Sequence, residues 1–537
     1  MRASGNRRER GAYYTPSSLA RALAEWAIRS PKDVVIDPAA GRGELLAAAR
    51  DRLLALGAKN APQLWGVELH RRTFENLVGR LRAWNVPKRN FICGDFFESY
   101  GDLPHCSVVL MNPPYVRHQQ IPSSTLIKAR ASLDGSGASV DGKASAWAYF
   151  VTVAPRILAP GGRMAAVLPT DVLSSDYATE VLAFLRRIFS SIELVYCNGE
   201  LFEGLSQRTV LCLADLRRSQ PGEPSELRLR TARIPSSGLA SSALITSGPS
   251  KTVLQKVSLP RLLASKDVLM LEDKLRKRAD LRMLGSVARI GIGYVTGDNR
   301  FFHQSGPEVA TLELKRRDLT PVVRREREVT GIRYTRTDWQ AACDAGKACW
   351  LLTPENLKSS AVGRLLRRRA ALEARKRYKC RRRSPWWVVP LDAPPPAFMI
   401  YMGTGTRIVA NDAGLHVSNS FFKVTELKEA SPIDLAAGSL TSVFELSAVL
   451  NCRLIGGGLR KLEPSDAHRV LVPVSRVTGR MAKRLDRLVR EGRWAEVRRA
   501  ADDIVLRKGL KWGRNLVAAV QAALVKLQEN QRLSARP

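Results

Sequence analysis

At 537 residues the chain is too long for one ordinary hydrophobic core, and a 45% hydrophobic content excludes a disordered protein. Its formal net charge is +36, unevenly placed: residues 1–250 hold 31 Lys and Arg against 22 Asp and Glu, and the remainder holds 55 against 28, which suits an enzyme followed by a polyanion binder. The 8 cysteines form no Cys-x-x-Cys pair and no cluster at zinc spacing, and no apolar run is long enough to span a membrane, so a metal site, a disulfide framework and a membrane partner are all unexpected.

Residues 1–12 are a charged lead-in. Tyr13-Tyr14-Thr15-Pro16 then precedes a helix expected over residues 19–28, capped by Ser17 or Ser18, with Leu19, Leu23 and Trp26/Ala27 on one face. Val34-Val35-Ile36-Asp37 is a β-branched strand ending in an acid. The glycine-rich turn Pro38-Ala39-Ala40-Gly41-Arg42-Gly43 follows, and then a helix. Such a turn brings backbone close to a ligand and presents free N–H groups, although it is one glycine short of the dinucleotide pattern. A second strand ends in Glu68, placed either to accept ribose hydroxyls or to open the next helix. The third reaches Asp95-Phe96-Phe97, where an acceptor beside an aromatic suits an adenine ring or a buried turn.

The fourth strand, Ser107-Val108-Val109-Leu110-Met111, runs into Asn112-Pro113-Pro114-Tyr115. Two prolines end the strand and stiffen the loop, which sets an amide and an aromatic ring at the carboxyl end of a strand, where open α/β sheets hold their ligands. Four strand ends thus deliver glycines, a ribose acceptor, an adenine acceptor and Asn-Pro-Pro-Tyr in order.

That ordered set resembles the S-adenosylmethionine-dependent, amino-methylating DNA methyltransferases of the TaqI-like type, which modify adenine N6; the resemblance covers about residues 11–215. It implies a Rossmann-like catalytic domain with a mixed seven-stranded sheet. Carried over residue by residue, it places Tyr14, Thr15 and Pro16 at the methionine end of the cofactor, and Asp37, Pro38, Ala39, Gly41 and Gly43 in the cofactor loop. Glu68 becomes the ribose ligand, Asp95 with Phe96 the adenine clamp, and Phe150 the aromatic near the cofactor. Asn112 and the carbonyl of Pro113 become the catalytic acceptors, with Pro114 fixing the turn and Tyr115 and Phe202 holding the flipped base. The Gly/Ser-rich stretch 119–143 reads as an insertion, either a lid or a DNA-contacting loop.

Beyond residue 215 a Ser/Pro/Gly-rich stretch suggests a last sheet edge and a linker, and residues 262–280 a connecting helix. Residues 284–302, 407–424 and 451–464 resemble the target-recognition domain of the same methyltransferases. Residues 364–383 carry eleven Lys or Arg and one acid, with Tyr378 among them and Pro385-Trp386-Trp387 after them. Arg381, Arg382, Arg383 and Trp386 are therefore the candidate DNA contacts, against the alternative of a solvated face. The expected division is a methyltransferase domain over 1–247, a linker and connecting helix over 248–283, a mixed α/β target-recognition domain over 284–475 and a helical tail over 476–537.

The expected function is site-specific methylation of adenine N6 in double-stranded DNA, protecting it from a separately encoded restriction endonuclease. The enzyme is expected to be monomeric, bacterial, cytoplasmic and nucleoid-associated. The same tetrapeptide occurs in enzymes acting on a glutamine amide of translation factors or on RNA adenines. The cytosine amine and a binding protein without turnover complete the alternatives.

Overall fold

The short apolar runs of the first half form strands: β1 (Val35–Asp37), β2 (Leu64–Glu68), β3 (Phe91–Cys93), β4 (Cys106–Met111) and the longer β5 (Leu158–Pro169). β1 and β4 are buried along nearly their whole length, as central strands are when helices cover both faces of a parallel sheet. The computed structural model describes residues 15–59, 63–140, 143–198, 209–233, 250–252, 258–354, 360–403, 405–455 and 459–533. In it these strands pair in parallel, in the order β3-β2-β1-β4-β5.

β6 (Phe189–Asn198) keeps the direction of β5, and β7 (Thr209–Arg217) returns between them, antiparallel to both. The expected mixed sheet of seven strands is present and is extended to nine by β8 (Leu227–Arg233), parallel to β6, and β9 (Ser250–Thr252), antiparallel to β8. The segment 248–283 is therefore not purely linker and helix, because β9 satisfies backbone groups along the edge of β8.

Register decides where the motifs meet. Asp37 lies beside Gly66, Glu68 beside Cys93 and Met111 beside Ala166, so the loops leaving β1 to β4 gather at one end of the sheet. The chain winds outward from β1 to β3 and then crosses to β4, which makes the gap between β1 and β4 the switch point where such sheets bind ligands. Three helices back this edge: α1 (Ser17–Ala27), α2 (Glu44–Ala55) and α3 (Arg71–Ala83), which bury Leu19, Leu23, Leu46 and Leu77 in one core with Val35 and Val108. α1 begins directly after Pro16 without the side-chain cap expected from Ser17 or Ser18; the fixed φ of the proline, −57°, already suits a helix start.

The chain divides into two compact units, the first running to Leu259 and the second from Pro260. The second contains two four-stranded sheets. One orders Arg289–Ile292, Phe422–Thr425, Ala397–Ile400 and Arg407–Ala410; the other orders His303–Gln304, Trp350–Leu352, Leu319–Val323 and His416–Val417. The helices expected as a tail pack within this unit, where Leu485, Leu488 and Val489 share one core with Val268, Val443 and Leu446. The expected boundary at 283 also falls inside this unit, where Leu281–Met283 pairs with Leu471–Pro473. Among the described residues no single helix is long and apolar enough to cross a membrane.

Candidate active site

The loop after β1 is shaped from within. Asp37, 1% exposed, accepts a hydrogen bond from the Ala39 N–H at 3.0 Å and folds the backbone round behind β1. Burial pushes its carboxyl up to about 7; the Ala39 bond opposes that rise and the neighbouring Glu68 charge adds to it. Gly41 and Gly43 have φ of +55° and +82°. At Gly43 a Cβ would also lie 2.6 Å from Leu77 Cδ1, so only glycine lets α2 start this close to α3.

Glu68, at the tip of β2, ties two loops together. Its Oε2 accepts from the Gly41 N–H at 2.9 Å and its Oε1 from the His70 N–H at 2.8 Å. Asp95 caps the short helix α4 (Phe96–Ser99), accepting from Phe97 N–H at 3.1 Å, and burial raises its carboxyl above the usual range. Phe96 stacks on Phe150, with centroids 5.4 Å apart and planes 16° apart, and Phe97 meets Phe150 edge-on.

The loop of residues 112–115 is anchored at both ends. Asn112 donates its side-chain NH₂ to Thr15 Oγ1 at 3.1 Å, which turns the carboxamide so that Oδ1 is its acceptor end. Tyr115 donates its hydroxyl to the Val167 carbonyl of β5 at 3.1 Å, fixing the ring. Pro113 is buried and Pro114 faces a cavity of about 230 Å³.

That cavity is where the strand ends converge. Pro38, Ala39, Gly41, Glu68, Asp95, Phe96, Asn112, Pro114 and Phe150, all anticipated from sequence, line it. Thr15, Asp37 and Gly43 stand behind it as supports. Sequence reasoning missed Leu69, 58% exposed beside Glu68, which also lines the wall. Within the 119–143 stretch, expected as a lid or a DNA-contacting loop, it did not name the wall residues Ile121, Thr125, Leu126 and Ala129; residues 123–131 form the helix α5 (Ser123–Ala131). The threefold and fourfold spacing of 125, 126 and 129 was the available signal. Tyr14 and Phe202 lie outside the described residues.

In the second unit the four candidate DNA contacts divide. Arg381 and Arg382 are exposed, and Arg382 sits over the exposed ring of Tyr378 with its carbon Cζ 5.4 Å from the centroid. Arg383 turns inward and donates to the carbonyls of Thr296, at 2.7 Å, and Val295. Trp386 packs on Phe301 at 5.6 Å and on Trp387 at 6.1 Å. Gly297, at φ +90°, makes this docking possible, because a Cβ there would lie 2.7 Å from Cys380 Sγ. Among the described residues no group of His, Cys, Asp and Glu is arranged to hold a metal.

Residues 1–197 match the family model of the N-6 DNA methylases, and residues 259–506 match that of the C-terminal domain of the type II methyltransferase M.Eco57I. The chain is 19% identical over 490 residues to the type II methyltransferase M.AccI of Acinetobacter calcoaceticus, covering 86% of this chain and 85% of that protein. It is 23% identical over 494 residues to M.XamI of Xanthomonas campestris pv. amaranthicola, with the same coverage. Its fold is similar to that of the type IIL restriction-modification enzyme MmeI, solved in complex with DNA, with a TM-score of 0.51 and 11% identity, covering 96% of this chain and 74% of that one. DrdV, also solved with DNA, gives a TM-score of 0.51 and 13% identity, covering 91% of this chain and 58% of that one.

Proposed function

We propose that Asn112 is the catalytic acceptor of an N6-adenine DNA methyltransferase and that the cavity beside Asn112 holds S-adenosylmethionine. The observation that carries this reading is that Asn112, Glu68 and Asp95 wall one cavity together with the Phe96–Phe150 pair. The fit to an adenosine is chemical: two acids to accept hydroxyl and amino hydrogens, and an apolar slab of rings, Pro114 and Leu69 for a flat base. Glu68 accepts from the ribose while keeping its hold on Gly41 and His70, since each carboxylate oxygen has a second lone pair. Asp95 accepts from the adenine amino group, and Thr15 braces the catalytic amide. Bound there, S-adenosylmethionine supplies a methyl group on a positively charged sulfur.

The target nitrogen is a poor nucleophile because its lone pair is delocalised into the base. The Asn112 Oδ1 and the Pro113 carbonyl accept its two hydrogens, which draws the nitrogen toward a pyramidal shape and stabilises the positive charge that grows as it attacks. The Pro-Pro turn keeps these acceptors in place during the approach. The base reaches them only outside the helix stack, and Tyr115, tethered to Val167, offers one face of a clamp that Phe202 completes.

In this reading the second unit is the DNA-recognition part, with Arg381 and Arg382 at phosphates. The enzyme works as a monomer in the bacterial cytoplasm, on the nucleoid, beside a separately encoded endonuclease. Incubation with S-adenosylmethionine and unmethylated genomic DNA, followed by nucleoside mass spectrometry, tests it. N6-methyladenine that vanishes with Asn112→Ala supports the assignment. Methylcytosine in its place changes the target base, and transfer to RNA or protein alone overturns the role of the second unit.

A further inference from the structure

We propose that α5 is the outer wall of the adenosine end of the cofactor site, a hinged flap that sets how tightly and for how long the cofactor is held. This rests on the reading of the cavity given above. The flap grows directly out of the catalytic loop. It leaves at Val116 and returns at Ala146, where the Ala146 N–H donates to the Val116 carbonyl at 2.9 Å and closes its base. The next helix, α6 (Ala146–Val153), carries Phe150.

The two sides of α5 differ. Thr125, Leu126 and Ala129 turn toward the cavity, and Ile121 precedes them on the same wall, whereas Ile127 is 70% exposed. Only Ala129 of the helix is fully buried. Thr125 and Leu126 are half-buried, so the protein covers them only in part and the cavity adjoins the remainder. An apolar ligand surface lying in the cavity would complete their burial.

Beyond the buried Ala129 and Leu133, the fastening is polar, and two of its bonds fall on the adenine clamp. Lys128 Nζ pairs with Glu98 Oε1 at 2.7 Å, with side chains 36% and 57% exposed. Ser132 Oγ donates to the Phe97 carbonyl at 2.9 Å. Arg156 holds the far end by donating to the carbonyls of Ser132, at 2.8 Å, and Asp134, at 2.9 Å. Phe97 and Glu98 directly follow the Asp95-Phe96 pair, so the flap is latched to the segment that grips the base. Exposed ion pairs of this kind contribute little and break readily, which suits a wall that must open for each exchange of cofactor.

The test is calorimetric titration and stopped-flow release of S-adenosylmethionine on the full chain, in wild type and in Leu126→Ser, Leu126→Met, Lys128→Met, Ile127→Ser and Phe96→Ala. Leu126→Ser is expected to weaken binding about tenfold, mostly through faster release, and Leu126→Met to restore it. Lys128→Met releases cofactor several-fold faster, and Ile127→Ser behaves as wild type. If Phe96→Ala weakens binding while Leu126→Ser and Lys128→Met do not, α5 is not a wall of the site. If Phe96→Ala also leaves binding unchanged, the cofactor reading of the cavity itself fails. Should Leu126→Ser not fold, the release rate of Lys128→Met decides.

Discussion

The strand-end acids of the first unit and three arginines of the second hold backbone with opposite charges. In the first, carboxylates hold backbone N–H groups at the strand ends: Asp33 on Arg29 and Ser30, Asp37 on Ala39, Glu68 on Gly41 and His70, Asp95 on Phe97. In the second, arginines hold carbonyls: Arg383 on Thr296, Arg407 on Val329, Arg498 on Thr441. Reach is what separates them. Asp37 and Asp95 each bond a residue two positions away, so their work is local, while Arg383 bonds a carbonyl 87 residues away. Asp37 and Asp95 thus advertise their roles to sequence neighbours, and Arg383 does not.

The sharpest test of this contrast is separability. Asn112→Ala is expected to lower methyl transfer by about a hundredfold to a thousandfold, the loss typical of removing an aimed acceptor or donor. Binding of DNA, followed by fluorescence anisotropy, should stay unchanged. Loss of both together would mean that the units do not divide the labour. Next in size is Gly43→Val, which sets a side chain against Leu77 at a positive φ. It should destabilise the first unit by about 1–3 kcal/mol in chemical denaturation and weaken cofactor binding with it.

The arginine run offers a direct contest. Arg383→Ala should lower stability by about 1–3 kcal/mol, since two carbonyls lose a charged donor. Arg381→Ala and Arg382→Ala should leave the melting temperature alone, and each should reduce the slope of log affinity for DNA against log salt by about 1. The reverse pattern would return Arg383 to the DNA surface and undo the contrast drawn here.

The smallest effects concern pH, and they too run in opposite directions. Asp37 loses its proton near 4 when unfolded and at about 7 when folded, so its contribution is complete below 4 and is lost as the pH rises toward 7. His303, whose Nε2 lies 2.8 Å from the Tyr294 hydroxyl, is pushed down to about 4, chiefly by burial and then by the Arg324 charge. Its contribution is complete above 6.5 and is lost as the pH falls toward 4. Thermal melts between pH 4.5 and 7.5 should therefore show Asp37→Asn gaining most on wild type at the neutral end and His303→Gln gaining most at the acid end, each by a few degrees.

The first unit was legible because each motif acts over a few residues of its own loop, and parallel pairing then brings the loops to one end of the sheet. What stayed hidden was settled by distant neighbours. β8 and β9 exist because an edge was there to extend. Leu69 matters because it lies beside the clamp, and its own segment gives no sign of that. Trp386, read from its place after a basic run as a candidate DNA contact, packs on Phe301 and Trp387 within its own unit. Tyr115 illustrates both cases: its position after two prolines was readable, but its tether to Val167 was not.

The bond between Asn112 and Thr15 also bears on how this site can evolve. A threonine hydroxyl donates as readily as it accepts, so the brace does not discriminate a carboxamide from a carboxylate. A single-base change that converts Asn112 to aspartate would keep its partner once the hydroxyl rotated, and only the charge presented to the target amine would change. Had the partner been a backbone carbonyl, which only accepts, aspartate would have been shut out. The hydroxyl leaves a neutral path between two catalytic chemistries, which the fold keeps open without any rebuilding of the loop.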